Sequence, residues 1–65
     1  MNYADAWLDV KGLIDAHYPY PTYQGTTDIT EHIEFAHIAT EHRLSNKQYD
    51  ALIVEAVKYY ESLDS

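Results

Sequence analysis

The chain has no cysteine, two glycines, two prolines and only four lysine and arginine residues among its 65. Without cysteine there is no disulfide reinforcement and no thiolate metal site, and the expected location is the cytoplasm. The scarcity of cations excludes more. Eleven Asp and Glu leave a formal net charge of -7 at pH 7. Phosphate binding needs cationic side chains to displace counterions, so neither nucleic acid nor an anionic membrane surface is an expected direct partner. Long apolar runs are also missing. The longest runs from Ala51 to Val54, far short of the ~20 residues a membrane span needs. Asp5 and Asp9 interrupt the apolar residues near the start and no basic leader precedes them. Neither a signal peptide nor a transmembrane helix is therefore expected. Gly25 is the one glycine outside a predicted helix, which leaves no glycine-rich loop for a phosphate or an oxyanion.

What is present is a single acidic helical domain, residues 1–65, that is 46% hydrophobic and contains seven tyrosines. A chain of this size buries only ~60% of the surface its unfolded form exposes, so stability is marginal and must come from helix packing, with self-association as a further source. A deep catalytic cleft would remove core that so small a domain needs. The expectation is a protein that binds, not an enzyme, with no cofactor.

Helical periodicity marks three segments, and an all-α three-helix bundle follows. The first covers residues 3–17, with Asn2 as N-cap and Tyr3, Trp7, Val10 and Ile14 on its apolar stripe. Its interior Gly12 is costly in a helix and marks either close approach of a neighbour or a frayed end. The second is predicted over residues 28–43. Asp28 and Glu31 form an acidic capping box there, Ile29, Ile33 and Ala36 share one side, and Phe35 and Ala39 widen the arc. The third covers residues 45–62. Ser45 and Gln48 form its capping box, Leu44 staples against Tyr49, and Tyr49, Leu52, Ile53, Ala56, Tyr60 and Leu63 form its stripe. Leu44 and Ser45 alone separate the second and third segments, which makes them a helical hairpin.

Between the first two helices, residues 18–27 read Tyr-Pro-Tyr-Pro-Thr-Tyr-Gln-Gly-Thr-Thr. Pro19 and Pro21 stop the helix, Gly25 permits a turn, and three tyrosines in six residues are too apolar for a solvated linker. An ordered loop follows, with rings lying over the open end of the bundle.

Candidate partner-binding residues fall into two groups. Asp5 and Asp9 lie one helical turn apart, Glu34 and Glu41 two turns apart, and Asp50 and Glu61 face outward on the third helix. Carboxylates spaced i, i+4 have Cβ atoms ~5–6 Å apart, close to the spacing of phosphates along a strand, so a rigid acidic bundle can imitate nucleic acid. The second group is Tyr18, Tyr20, Tyr23 and Tyr59, since a tyrosine at an edge supplies contact area while its hydroxyl tolerates water. Val54 and Tyr59, with Ile38 on the flank of the second helix, would leave an apolar patch suited to a partner or a dimer.

Other constellations weigh less. Glu34, His37 and Glu41 lie at i, i+3 and i+7, and Glu-x-x-His is the spacing of carboxylate-bridged metal bundles, but such bundles need two copies and more glutamates. Only a homodimer would complete such a site, and it would be a weak one. His32 and His42 border the second helix's apolar arc, and His17 sits in the last turn of the first, where the helix dipole favours a cation. Thr30 and Ser45 serve helix starts, so no nucleophile stands ready for any of these histidines. Arg43 and Lys47 beside the tight turn resemble a helix-turn-helix in architecture only, because Asp50, Glu55 and Glu61 make the would-be recognition helix acidic.

The functional expectation is a small acidic protein that binds another protein. Its sharpest form is an inhibitor, of the kind phages and mobile elements encode, that fills the cationic groove of a nucleic-acid-binding protein. The alternatives are a homodimer with a weak carboxylate and histidine metal site, or a structural accessory subunit.

Overall fold

The computed structural model describes residues 2–63. Three α-helices, α1 (Asn2–His17), α2 (Phe35–Glu41) and α3 (Asn46–Leu63), pack pairwise against one another as an all-α bundle. None is long and apolar enough to cross a membrane.

The core is built from one stripe per helix. α1 contributes Ala6, Val10 and Ile14 and α3 contributes Leu52, Ala56 and Tyr60, at the i, i+4 spacing that keeps side chains on one face. Ile29, Ile33, Phe35 and Ile38 close the third side. Tyr3 and Trp7, expected on the α1 stripe, pack at its margin. Leu63 departs from the expected α3 stripe, since the helix outruns the core there and leaves this side chain 37% exposed. The start of α3 follows the sequence reading: Ser45 N–H donates to Gln48 Oε1 (3.0 Å) and Gln48 N–H to Ser45 Oγ (3.2 Å), the reciprocal pair of a capping box.

The second segment is not one helix. A 3₁₀ turn covers Ile29–Glu31 and α2 begins only at Phe35. Asp28 Oδ1 accepts from Thr30 N–H (3.0 Å) and from the Thr30 hydroxyl (2.5 Å), which caps the short turn, so the partner of Asp28 is Thr30 and not the Glu31 of an acidic capping box. Those two donors, the hydroxyl foremost, hold the Asp28 carboxyl below its ordinary range. Glu34, with φ -81 and ψ 76 and a Phe35 N–H to Ile33 C=O bond of 2.9 Å, forms an inverse γ-turn.

The physical reason for the break is a phase conflict. Ile33 and Phe35 are both 3% exposed. Residues two apart in a continuous α-helix point to nearly opposite sides, so both reach the core only because the γ-turn resets the phase between them. The reset moves Ala36 out to solvent and turns Ile38, expected on the flank, into the core at 7% exposure.

α2 ends in a Schellman motif. Leu44 N–H bonds Ala39 C=O (2.9 Å), Arg43 N–H bonds Thr40 C=O (3.2 Å), and Arg43 takes the left-handed φ of 56 that glycine usually supplies. The link between α2 and α3 is therefore residues 42–45, longer than the two residues expected.

The 18–27 loop is ordered, as its composition predicts. Tyr20 donates its backbone N–H to Tyr60 Oη (2.8 Å) and its own hydroxyl to Leu13 C=O (3.3 Å), while its ring stacks on His32 at 5.0 Å. Tyr18 meets Tyr60 edge-on at 5.4 Å. Beyond this lid Gln24 and Gly25, both with positive φ (54 and 82), make a type I′ turn closed by mutual Tyr23 and Thr26 backbone bonds of 2.7 and 3.1 Å. The Thr22 and Thr27 hydroxyls bond across it at 2.8 Å. The result is a miniature hairpin that leaves the bundle.

Candidate functional site: the groove between α1 and α2

α1 turns Leu8, Gly12 and Leu13 toward α2, off the Ala6, Val10 and Ile14 stripe. Two adjoining hollows lie between the helices. One of about 420 Å³ is lined by Leu8, Asp9, Gly12, Leu13, Ile38 and Glu41. The other, of about 370 Å³, reaches past His17, His32, Glu34 and His37 to Tyr20. Leu13 and Ile38 line both, so the two adjoin as one shallow groove open to solvent. From Leu8 to His17 it follows ten residues of α1, nine steps or about 14 Å at the helical rise of 1.5 Å per residue.

Its floor is apolar and incompletely covered. Ile38 closes it from below, whereas Leu8 is 64% and Leu13 38% exposed. Between them Gly12 presents bare backbone. A Cβ built there would meet nothing within 4 Å, so no neighbouring helix approaches it, and the rest of the fold does not use the space its missing side chain leaves.

The borders are acidic. Asp9, Glu34 and Glu41 line the groove, and none of the four Lys and Arg residues does. Asp5 lies on α1 one turn before Asp9. Two of the carboxylates meet histidines: Asp9 Oδ2 lies 2.6 Å from His42 Nε2, joining α1 to the end of α2, and Glu41 Oε1 lies 3.1 Å from His37 Nε2. The His37–Glu41 pair is exposed on both sides and contributes about 0–1 kcal/mol, whereas the His42 ring of the other pair is half-buried. Every histidine of the chain thus borders the groove: His17, His32 and His37 line it, and His42 holds Asp9.

The other expected site residues are dispersed. Asp50 and Glu61 ride on α3, which lines neither hollow. Tyr18 and Tyr20 belong to the lid, and burial followed by the Tyr60 hydroxyl raises the Tyr20 phenol above its ordinary value. Tyr23, at the hairpin, is 76% exposed and Tyr18 37%. Tyr59 is half-buried against Trp7, whose ring it meets edge-on at 5.7 Å, and its hydroxyl donates to the Asp15 carboxylate. That bond, with burial and the Asp15 charge behind it, raises the Tyr59 phenol. The expected patch of Ile38, Val54 and Tyr59 therefore does not assemble: Ile38 is core, Tyr59 joins α3 to α1, and Val54 alone is exposed, at 52%.

The Glu34, His37, Glu41 stripe is broken at its first member, because Glu34 precedes α2. Among the described residues no three His, Asp or Glu side chains are placed to share a metal ion within one chain. Sequence reasoning missed Leu8, Gly12 and Leu13. Their signal was available: Leu8 and Leu13 are large apolar residues off the buried stripe, with the helix's one glycine between them.

No protein-family model, curated protein or solved structure matches this chain.

Proposed function

We propose that the protein is a non-enzymatic binding module that engages another protein, one with a basic surface, through the α1–α2 groove. The observation that carries this reading is the exposure of Leu8 and Leu13 around the open backbone of Gly12, bordered by three carboxylates and by no Lys or Arg. An apolar centre with a charged rim is the anatomy of a specific interface, and the rim's sign selects the partner. A second copy of the chain is disfavoured because each copy carries -7, and burying the same acidic rim twice sets like charges against one another.

A binding role also accounts for where the hydroxyls are used. Thr30 and Ser45 cap turns and Thr40 bonds the Ala36 carbonyl, so these side chains serve the backbone. As a nucleic-acid mimic, the chain would offer Asp9, Glu34 and Glu41 along the groove, with Asp5 one turn beyond it, as phosphate surrogates and would leave Asp50 and Glu61, on α3, out of the contact.

The test is affinity capture from nuclease-treated lysate with the native chain and the Leu8→Glu variant side by side. A basic protein retained by the first and lost from the second supports the reading. Release of that protein by duplex DNA would make it a nucleic-acid-binding target and the chain its inhibitor. Equal capture by both chains would refute the groove as the contact.

A further inference from the structure

The groove's dimensions and lining go further and specify the form of the partner. We propose that it docks an amphipathic α-helix, rich in Lys and Arg on its flanks, with the helix's apolar face on Leu8, Gly12, Leu13 and Ile38. This rests on the protein-binding reading and deepens it.

Length comes first. About 14 Å of groove matches about nine residues of helix, two and a half turns, which offers apolar side chains at i, i+3 or i+4, and i+7. The lining has the same period: Leu8 and Gly12 on α1 are four residues apart, and Ile38 and Glu41 on α2 are three apart. Two helices in contact along one surface form a seat into which a third helix's ridge fits.

Gly12 supplies close approach. Beside Leu8 and Leu13 the α1 backbone is bare at Gly12, where a Cβ would meet nothing within 4 Å, a notch into which a docking helix can place one large aliphatic residue. The alternative seats for an extended peptide are poorer. Among the described residues the sole β pairing is the Tyr23 and Thr26 bridge, so no strand edge is offered. A proline-rich ligand needs an aromatic trough, and here Tyr20 stands alone at one end.

Charge fixes the flanks. Asp9 and Glu41 border the apolar centre, one from each helix, and Glu34 lies farther along. A Lys or Arg one turn from the apolar anchor of the docked helix reaches Glu41 by displacing His37, whose pair is exposed on both sides, and reaches the exposed Asp9 carboxylate in competition with the half-buried His42 ring. Displacement gives the interaction a signature remote from the peptide itself: the ring resonances of His42 and His37 should move when the groove fills.

The experiment is a titration of isotopically labelled protein, followed by NMR, with a synthetic 18-residue Lys and Leu peptide whose leucines share one helical face. The control has the same composition scrambled so that no face is apolar. Saturable binding of the first peptide is expected, with perturbations on residues 8–17 and 34–42, the His42 and His37 rings included, and much weaker binding of the scramble. Leu8→Glu decides between apolar docking and mere charge attraction. It adds a negative charge, which would tighten a purely electrostatic encounter, yet it should weaken apolar docking at least about tenfold, as expected for a residue at the centre of an interface. Gly12→Gln fills the notch with a better helix former, so it should fold at least as stably and still bind more weakly.

Equal affinity for the scramble, or tighter binding by the Leu8→Glu variant, would overturn the proposal. Perturbations confined to α3 or to the Tyr23 hairpin would overturn the groove as the seat while leaving a protein-binding role in place. Loss of the Leu8 and Leu13 signals on concentrating the protein alone would assign the groove to a second copy and also refute it. No binding by either peptide refutes the helical occupant, and the lysate capture then decides the broader reading.

Discussion

Replacing Gly12 by alanine should make the protein more stable while making it a poorer binder, and the two effects have separate structural origins. Gly12 lies inside the 16-residue helix α1, where glycine costs about 0.8–1.0 kcal/mol relative to alanine. The new methyl meets no atom within 4 Å, so no clash offsets the gain, and its position in the open groove means little extra burial adds to it. A gain of about 1 kcal/mol moves the Tm of a domain this small by about 4–8 °C. With a urea m-value of about 1 kcal/mol/M it moves the midpoint by about 1 M. Both are measured by far-UV circular dichroism on the two proteins under identical conditions. An unchanged or lowered midpoint would refute the reasoning, because it would mean that the fold itself needs the glycine. A gain in stability together with unweakened binding of the Lys and Leu peptide would leave the fold correct and the notch irrelevant.

Leu52 is fully buried among the α1 and α3 stripes, so Leu52→Ala should cost about 2–5 kcal/mol, comparable to all that a core of this size supplies, and the variant should be largely unfolded by circular dichroism at 25 °C. Arg43→Gly relieves a left-handed backbone at the end of α2 and should raise stability by about 1 kcal/mol, read as a higher urea midpoint. Asp28 should titrate below its ordinary value of 3.8 when its carboxyl carbon is followed by NMR. Because that folded-state value is depressed, the stability it contributes is present in full above 3.8 and is lost as the pH falls through the lower folded value. Asp28→Ala should remove that part of the acid dependence.

The helices were legible where a single phase of apolar spacing ran through them. α3 announces itself by its capping box and by Leu52, Ala56 and Tyr60, and α1 by Val10 and Ile14. The middle segment was misread for a reason also present in the sequence: Ile33 and Phe35 cannot share a face of one helix, and a broad apolar arc was inferred where a change of phase was the answer. The Thr30 hydroxyl, which competes for Asp28, gave no periodic signal at all. The site was less legible than the fold. Carboxylate spacing along each helix was readable, but which carboxylates come together depends on how the helices pack, and that placed Asp9 beside His42, 33 residues away. Tyr59 looked like an edge residue and is instead pinned between Trp7 and Asp15, contacts that only the tertiary structure creates. Leu8 and Leu13 lie off the buried stripe, and large apolar residues with no place in the core mark a surface that something else covers.

The measurement that bears most directly on the central claim compares two exposed positions on different helices. A photo-crosslinking amino acid is placed at Leu8, 64% exposed on α1, or at Val54, 52% exposed on α3, and each protein is irradiated in lysate. A single basic partner crosslinked from Leu8, and absent from Val54, is the predicted result. The same partner captured from Val54 and not from Leu8 would contradict the account.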